Sequence, residues 1–359
     1  MNIKKELGIY YTTNVCYIFQ NIPFLFNTQV STPICIIEPF FGNGDLIHWC
    51  NTNNTFNLNF TAECYDIRNL SNTIQQDTLL NPPTYKHKYV ITNPPFLAYN
   101  KKKIVNHITC FKKYPYCNDL YKCFIMSLIK GHVEGGILIL PLNFWCSLCS
   151  NDILLRKMFI ELYDITHMNI FYERVFKDTT CNICSFRFIK KNTQSSSFFN
   201  ITCYPFKTCL ISDIFKEETC YLLKGGLFIY KILSIKNNVK NPYTIQRYNN
   251  KIHTNDTFII LCQVIDMSPV NNIHIEKINT LSSYTINKTS RAYIYISILP
   301  HLPLESDYDK LCSLFNTILT TEREQSLSLF LSSYREYYRK RLSFTLLYNI
   351  IYYILYTFF

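Results

Sequence analysis

Through the first half of the chain, apolar residues gather in short unbroken runs: Ile34–Ile37, the stretch closing on Tyr65, Lys88–Thr92 and Ile137–Leu140. Runs of this length bounded by turn residues are the pattern of strands buried on both faces. Phe56–Tyr65 is therefore read as a second strand, Asn72–Gln76 as a short third and Lys88–Thr92 as a fourth. Between them the spacing turns helical. Leu46–Trp49 follows a glycine turn, and Asp119–Lys130 carries apolar residues at Leu120, Phe124, Ile125, Leu128 and Ile129. Asn151-Asp152 opens a further helix through Leu162, and residues 15–26 could form a helix broken at Pro23. Two alternating stretches, Ile165–Tyr172 and Asn182–Ile189, add two more strands. Strands alternating with helices up to about residue 190 predict an α/β fold built on a doubly wound, Rossmann-like parallel sheet.

Lys190–Ser197 is polar and reads as a linker, which divides the chain into residues 1–191 and 192–359. Beyond it Gly225-Gly226, Asn237-Asn238 and Asn249-Asn250 punctuate short runs such as Phe258–Val264 and Ala292–Leu299, so the second domain is expected to be strand-rich. From Thr321 onward the pattern is helical. Its last stretch, Leu342–Phe359, approaches the length of a membrane span. Ser343, Thr345, Asn349 and several tyrosines within it favour a helix packed on the second domain over a membrane anchor.

Composition sharpens the choice of partner. The formal charge is +11 with only 17% charged residues, a cationic bias that suits a polyanion such as nucleic acid or an acidic membrane surface; a basic protein with no charged partner is the alternative. The 16 cysteines come without an apolar leader behind Met1-Asn2-Ile3-Lys4-Lys5-Glu6, so free thiols in a reducing, intracellular (cytoplasmic) setting are expected rather than a disulfide framework.

The candidate chemistry lies at the ends of the predicted strands, where ligands of doubly wound sheets sit. Ile34–Ile37 runs into Glu38-Pro39 and the turn Gly42-Asn43-Gly44, whose glycines let backbone amides and a helix N-terminus approach a ligand. Asp66 ends the second strand about 20 residues further on, the place of a ribose-holding acid or of an ordinary surface aspartate. Asp77 closes the third. The fourth ends in Asn93-Pro94-Pro95-Phe96, a stiff loop with a side-chain carbonyl, a backbone carbonyl and a flat ring, which together suit the amino group and plane of a nucleobase. A second Asn-Pro-Pro, Asn81–Pro83, follows no strand and reads as a loop. Lys101-Lys102-Lys103 either meets phosphates or is a solvated loop. Cys146-x-x-Cys149 and Cys181-x-x-Cys184 have zinc-like spacing, but the second pair falls in an alternating strand whose i and i+3 positions face opposite ways, so no metal is expected. The chain has no P-loop, no Gly-x-Ser-x-Gly elbow and no His-Glu metal motif.

Taken together these stretches resemble the gamma-type N6-adenine DNA methyltransferases, over roughly residues 8–191. Tyr10-Tyr11-Thr12-Thr13, Glu38–Gly44, Asp66, Asp77, Asn93–Phe96, Asp119-Leu120-Tyr121, Gly135–Pro141 and Val175–Asp178 follow the family pattern in order. The resemblance implies a site-specific, S-adenosylmethionine-dependent methyltransferase acting on flipped-out adenine in double-stranded DNA, as in restriction-modification systems. It implies cofactor contacts from Tyr11, Thr12, Glu38, Pro39, Gly42, Gly44, Asp66 and Asp77. Asn93 and the Pro94 carbonyl would accept the adenine amino group within the Asn93-Pro94-Pro95-Phe96 loop, with Phe96 stacking on one face of the base and Phe176 on the other. Residues 192–359 would recognise the target, the enzyme would work as a monomer, and no metal or membrane would take part. A glutamine or RNA methyltransferase, and an inactive nucleic-acid-binding relative, are the alternatives.

Overall fold

The computed structural model describes residues 8, 10–24, 34–53, 59–101, 105–177, 181–192, 198–212, 217–238, 242–248, 258–267, 272–278, 290–333 and 339–359. The chain divides into two compact units, Met1–Phe144 with Leu148–Phe215, and Trp145–Ser147 with Lys216–Phe359.

The first unit is built on one sheet of nine strands: β1 (Ile34–Glu38), β2 (Phe60–Asp66), β3 (Ile74–Gln75), β4 (Tyr89–Thr92), β5 (Gly135–Pro141), β6 (Tyr163–Phe171), β7 (Ile183–Lys190), β8 (Phe199–Tyr204) and β9 (Thr208–Ser212). Their order is β3-β2-β1-β4-β5-β7-β6-β8-β9. β3, β2, β1, β4 and β5 are parallel throughout, and β7 runs antiparallel between β5 and β6. The order runs outward in both directions from the β1–β4 pair, which makes the sheet doubly wound and Rossmann-like. The apolar runs account for its centre: Ile36, Ile37, Val90, Ile91 and Ile137–Leu140 are fully buried. Among the described residues the helices of this unit are α1 (Val15–Ile18), α2 (Asp45–Thr52), α3 (Val105–Lys113), α4 (Leu120–Gly131) and α6 (Ser150–Leu162), while the short α5 (Asn143–Cys146) falls across the division after Phe144. α4 is buried at every residue from Leu120 to Ile129.

Two expectations are corrected. The helix sought over 15–26 is the four-residue α1, because Asn14 enters it and Asn21 follows it in the left-handed region, at φ 67° and 60°. The sheet also continues past residue 191: β8 pairs parallel with β6, and β9 returns beside it, so the first unit runs to Phe215. Within the expected linker, residues 193–197 lie outside the described residues, as do Lys102, Lys103 and Asp178.

The second unit carries a four-stranded antiparallel sheet in the order β10-β13-β11-β12, formed by β10 (Thr244–Arg247), β11 (Ile259–Gln263), β12 (His274–Ile278) and β13 (Tyr293–Leu299). Among the described residues three α-helices accompany it, α7 (Gly226–Asn238), α8 (Glu305–Ser326) and α9 (Phe344–Phe358). The helical pattern expected from Thr321 onward is interrupted. The chain turns at Leu327 and Ser328, with φ 49° and 56°, and forms a small hairpin of β14 (Ser332–Ser333) and β15 (Lys340–Arg341) before α9 begins. Asn316 on α8 clamps the β12 backbone, accepting from Ile275 N and donating to Ile275 O, each at 2.9 Å. Arg323 makes a bidentate pair with Asp266 at 2.9 and 2.7 Å, both residues buried, with Ser328 taking its Nε–H. The apolar tail forms α9, capped by Ser343, and its Tyr352 hydroxyl accepts from Ile245 N of β10 at 3.1 Å. At 15 residues α9 is about 22 Å long, short of the ~30 Å hydrocarbon core. Among the described residues no helix is long and apolar enough to cross a membrane.

Removing one partner of a buried ion pair strands the other charge, which costs about 3–5 kcal/mol. Asp266→Ala is accordingly expected to lower the stability of the protein by that amount in urea unfolding; a loss below about 1 kcal/mol would mean that Arg323 finds water or another acceptor.

Candidate active site

Between β1 and β4, where the strand order reverses, the carboxyl ends of the strands border a cleft with an empty volume of about 810 Å³, partly open to solvent. Its walls come from four stretches: Tyr10–Thr12, Pro39–Asn43 with Asp45 and Leu46, Asp66 with Ile67, and Gln76–Leu79, completed by Asn93, Pro95 and Leu120. Of the residues singled out from sequence, Tyr11, Thr12, Pro39, Gly42, Asp66, Asp77, Asn93 and Pro95 meet here. Glu38, Gly44, Pro94, Phe96 and Phe176 do not line it.

The turn after β1 is shaped by its glycines. Gly42 and Gly44 have φ of 62° and 82°, and a Cβ on Gly44 would lie 2.7 Å from the Phe41 ring. The turn delivers Gly42 N–H to Asp66 Oδ2 at 3.0 Å and starts α2 at Asp45. Glu38 lies beneath it, fully buried. Its Oε1 accepts from Phe40 N at 3.1 Å and from the Thr92 hydroxyl, so it ties the end of β1 to the end of β4; Oε2 has no partner among the described residues. Burial pushes its carboxyl up from 4.5 to about 8; the Thr92 and Phe40 hydrogen bonds act against this and the Asp66 charge adds to it.

Asp66 is 6% exposed. Burial raises its carboxyl, but hydrogen bonds from Arg68 and Gly42, with the Arg68 charge, outweigh burial and hold it below the usual carboxylate range. Asp77 uses Oδ1 to accept from Leu79 N and Leu80 N at 3.1 and 3.2 Å, an Asx turn that fixes the β3–β4 connection. Thr78 donates to Pro39 O at 3.0 Å, joining that connection to the β1 turn.

Asn93 is 9% exposed. Its Nδ2 donates to Tyr10 O at 2.8 Å and to Thr12 Oγ1 at 3.1 Å, which fixes the orientation of the amide. Oδ1 is buried and has no hydrogen-bond partner among the described residues. Phe96 packs its ring on Tyr10, with centroids 5.5 Å apart and planes at 29°, and edge-on to Tyr121 at 5.9 Å; its N–H donates to Gly8 O at 3.0 Å. Gly8 and Tyr10–Thr12 thus lie along the Asn93–Phe96 loop, and Tyr10 covers one face of the ring. On the other side Asp119 Oδ1 accepts from Leu97 N at 2.9 Å, and Leu120 N donates to Leu97 O, so the loop is anchored on the N-terminus of α4. Burial lifts the Asp119 carboxyl to about 7 against the pull of Lys122 and the loop amides. Phe176 is buried at 2% exposure, and its carbonyl accepts from Arg174 Nε. Of the supporting residues, Asp119 opens the Asp119-Leu120-Tyr121 stretch noted in sequence, whereas Thr92, Arg68 and Thr78 carry no signal of their own there beyond standing next to a strand end or a motif.

Among the described residues no group of three His, Cys, Asp or Glu side chains could hold a metal ion, and all 16 cysteines are free thiols. No protein-family model matches the chain, and no curated protein matches it in sequence. Solved structures do align with it. One is the methyltransferase subunit of a type I restriction-modification system from Streptococcus thermophilus, 14% identical over 67% of this chain and 57% of that one, TM-score 0.42. Another is the M protein of the type I restriction enzyme EcoKI, 12% identical over 52% and 49%, TM-score 0.35. A third is the ATP-dependent type ISP restriction-modification enzyme LlaBIII bound to DNA, 11% identical over 55% and 19%, TM-score 0.35. The chain spans 54% to 61% of the length of the first three structures that it matches. At these values the likenesses add nothing to the strand order, which itself defines the fold.

A carboxyl whose folded-state value lies above its unfolded one holds its proton longer in the folded protein, so stability falls as pH rises between the two values. For Glu38 that window runs from 4.5 to about 8, with Asp119 acting in the same direction from 3.8 to about 7. Glu38→Gln is expected to flatten the decline in stability measured by urea unfolding at pH 5, 6.5 and 8. An unchanged slope would mean that Glu38 is charged throughout.

Proposed function

We propose that the first unit is an S-adenosylmethionine-dependent methyltransferase and that its acceptor is the N6 amino group of adenine in duplex DNA. The observation that carries this reading is the buried, unpartnered Oδ1 of Asn93 on the wall of the cleft. A buried carbonyl without a donor costs about 1–3 kcal/mol, and an amino group placed against it recovers that cost.

The cleft residues fit the cofactor. Asp66 and Asp77 offer carboxylates to a ribose diol and to an adenine amino group, Ile67 and Leu79 offer apolar surface to the purine, and the Gly42 turn lets the backbone approach closely. When bound, S-adenosylmethionine would supply an electrophilic methyl on a sulfonium. The chain's own part is to position the acceptor. Asn93 Oδ1 and the Pro94 carbonyl accept the two amino hydrogens of a base flipped into the pocket, which turns the nitrogen lone pair toward the methyl and stabilises the positive charge that develops on nitrogen. The proton can leave after transfer, so no strong base is needed. Phe96 would stack on the base once Tyr10 yields its ring face. Residues of the second unit would read the target sequence, and the +11 charge suits the phosphate backbone. The natural setting of such an activity is the modification arm of a restriction-modification system inside a cell.

Asn93→Ala is expected to lower methyl transfer from labelled S-adenosylmethionine to adenine-containing duplex DNA by about 10²–10³-fold while cofactor affinity stays within about threefold. Asp66→Ala should instead weaken cofactor binding by about tenfold or more, as loss of hydrogen bonds to a charged group does. Equal loss of both properties in both variants would contradict the assignment, and label entering protein or RNA but not duplex DNA would move the activity to another substrate class.

A further inference from the structure

Asp66 is the wall of the cleft proposed to hold the cofactor's ribose, yet its acceptor capacity is already used. A carboxylate offers about four lone-pair sites, two on each oxygen. Oδ1 accepts from Arg68 N at 2.9 Å and Arg68 Nε at 2.8 Å. Oδ2 accepts from Gly42 N at 3.0 Å and Arg68 Nη2 at 2.9 Å. Two of the four donors, Gly42 N and Arg68 N, belong to the backbone of the turns and cannot leave without rebuilding the fold of the site. The other two belong to one side chain, whose remaining nitrogen donates to the Tyr11 hydroxyl at 2.6 Å. Arg68 is 32% exposed, so its guanidinium has water to turn into.

We infer that Arg68 is an internal competitor for Asp66, occupying the two acceptor positions that a ribose 2′,3′-diol requires, and that cofactor binding proceeds by exchange of the guanidinium for the diol. This rests on the proposed use of the cleft. At the carboxylate the exchange is matched, two N–H donors leaving and two O–H donors replacing them, while the Arg68 bonds to Gly42 O at 3.3 Å and to the Tyr11 hydroxyl pass to water. Its cost is the ion pair, in which Asp66 is 6% exposed and Arg68 32%, so water takes up the guanidinium as it leaves. Arg68 thereby makes Asp66 selective. A ligand that brings both hydroxyls can displace the fork, whereas one that brings none leaves the pair intact. The same movement breaks the bond to Tyr11, whose neighbours Tyr10 and Thr12 hold Asn93. Arg68 is thus a positioning residue that links the ribose end of the cleft to the segment lying over the Asn93–Phe96 loop.

Calorimetric titration of the full chain with S-adenosylhomocysteine and with its 2′,3′-dideoxy counterpart tests this, using wild type and Arg68→Met, which keeps an apolar stem and removes the side-chain donors. The diol ligand is expected to bind Arg68→Met about three- to tenfold more tightly than wild type, with the dideoxy ligand unchanged, so that discrimination between the two ligands widens. A merely structural role for Arg68 would weaken both ligands together. Weaker or equal binding of the diol ligand to a folded Arg68→Met overturns the inference and leaves the cofactor assignment standing. Failure of wild type to bind S-adenosylhomocysteine or S-adenosylmethionine overturns the assignment on which the inference rests. Should Arg68→Met not fold, Arg68→Lys keeps the charge but not the fork, and the same widening, smaller in size, is expected from it.

Discussion

The structure depends on the pairing of β1 with β4. It is registered at Ile36 with Tyr89 and Ile37 with Val90, in the middle of a sheet whose order reverses at that seam. Helices on the two sides of such a seam leave a gap above the strand ends, and behind its wall the chain buries the Glu38 carboxyl. Glu38 gathers the Phe40 amide and the Thr92 hydroxyl onto one oxygen, and so holds in one arrangement the glycine turn that follows β1 and the Asn93 loop that follows β4. Burial makes charging a carboxyl there costly and pushes it up to about 8.

Polar satisfaction then explains how the rest of the site is tuned. Most buried polar atoms along the cleft are paired: Asp66 four times over, Asp77 in its own turn, Thr78 to Pro39, and Asp119 to the Leu97 amide. Against that background Asn93 differs. Its amide nitrogen is bound twice while its carbonyl is left bare. The two bonds to Tyr10 and Thr12 do more than close the N-terminal segment over the loop. They hold the amide nitrogen toward those neighbours, and under the proposed function they keep Oδ1 as the acceptor for the substrate. Preorganisation of this kind costs nothing at the moment of reaction because it has been set during folding.

How far the chain could be read in advance follows from the same physics. β1, β4, β5 and α4 were legible because they are buried on both faces or along a continuous stripe, and their apolar runs are unbroken. The cluster of Asp66, Asp77 and Asn93 was legible from their position at strand ends. Three things were not. α7 and α8 interleave Lys, Asn, Thr and Glu with their apolar residues, and the Gly225-Gly226 and Asn237-Asn238 pairs that flank α7 resemble turns between strands. β8 joins the first sheet across a polar segment that looks like a linker, since an alternating strand carries no mark of which sheet it will extend. Finally, the cover that Tyr10 gives Phe96, and the saturation of Asp66 by Arg68, are contacts between segments about 60 to 90 residues apart or between groups whose direction is set only in the folded chain.

The central claim is that Asn93 Oδ1 awaits the amino group of a DNA base beside a sulfonium cofactor. Nucleoside mass spectrometry of DNA from cells expressing the chain, in a host that lacks adenine methylation of its own, tests it most directly. N6-methyladenine should appear with the wild-type chain, confined on sequencing to one short recognition sequence, and should be absent when Asn93 is replaced by Ala. Unmodified adenine in the presence of a folded wild-type chain that binds S-adenosylmethionine would contradict the account.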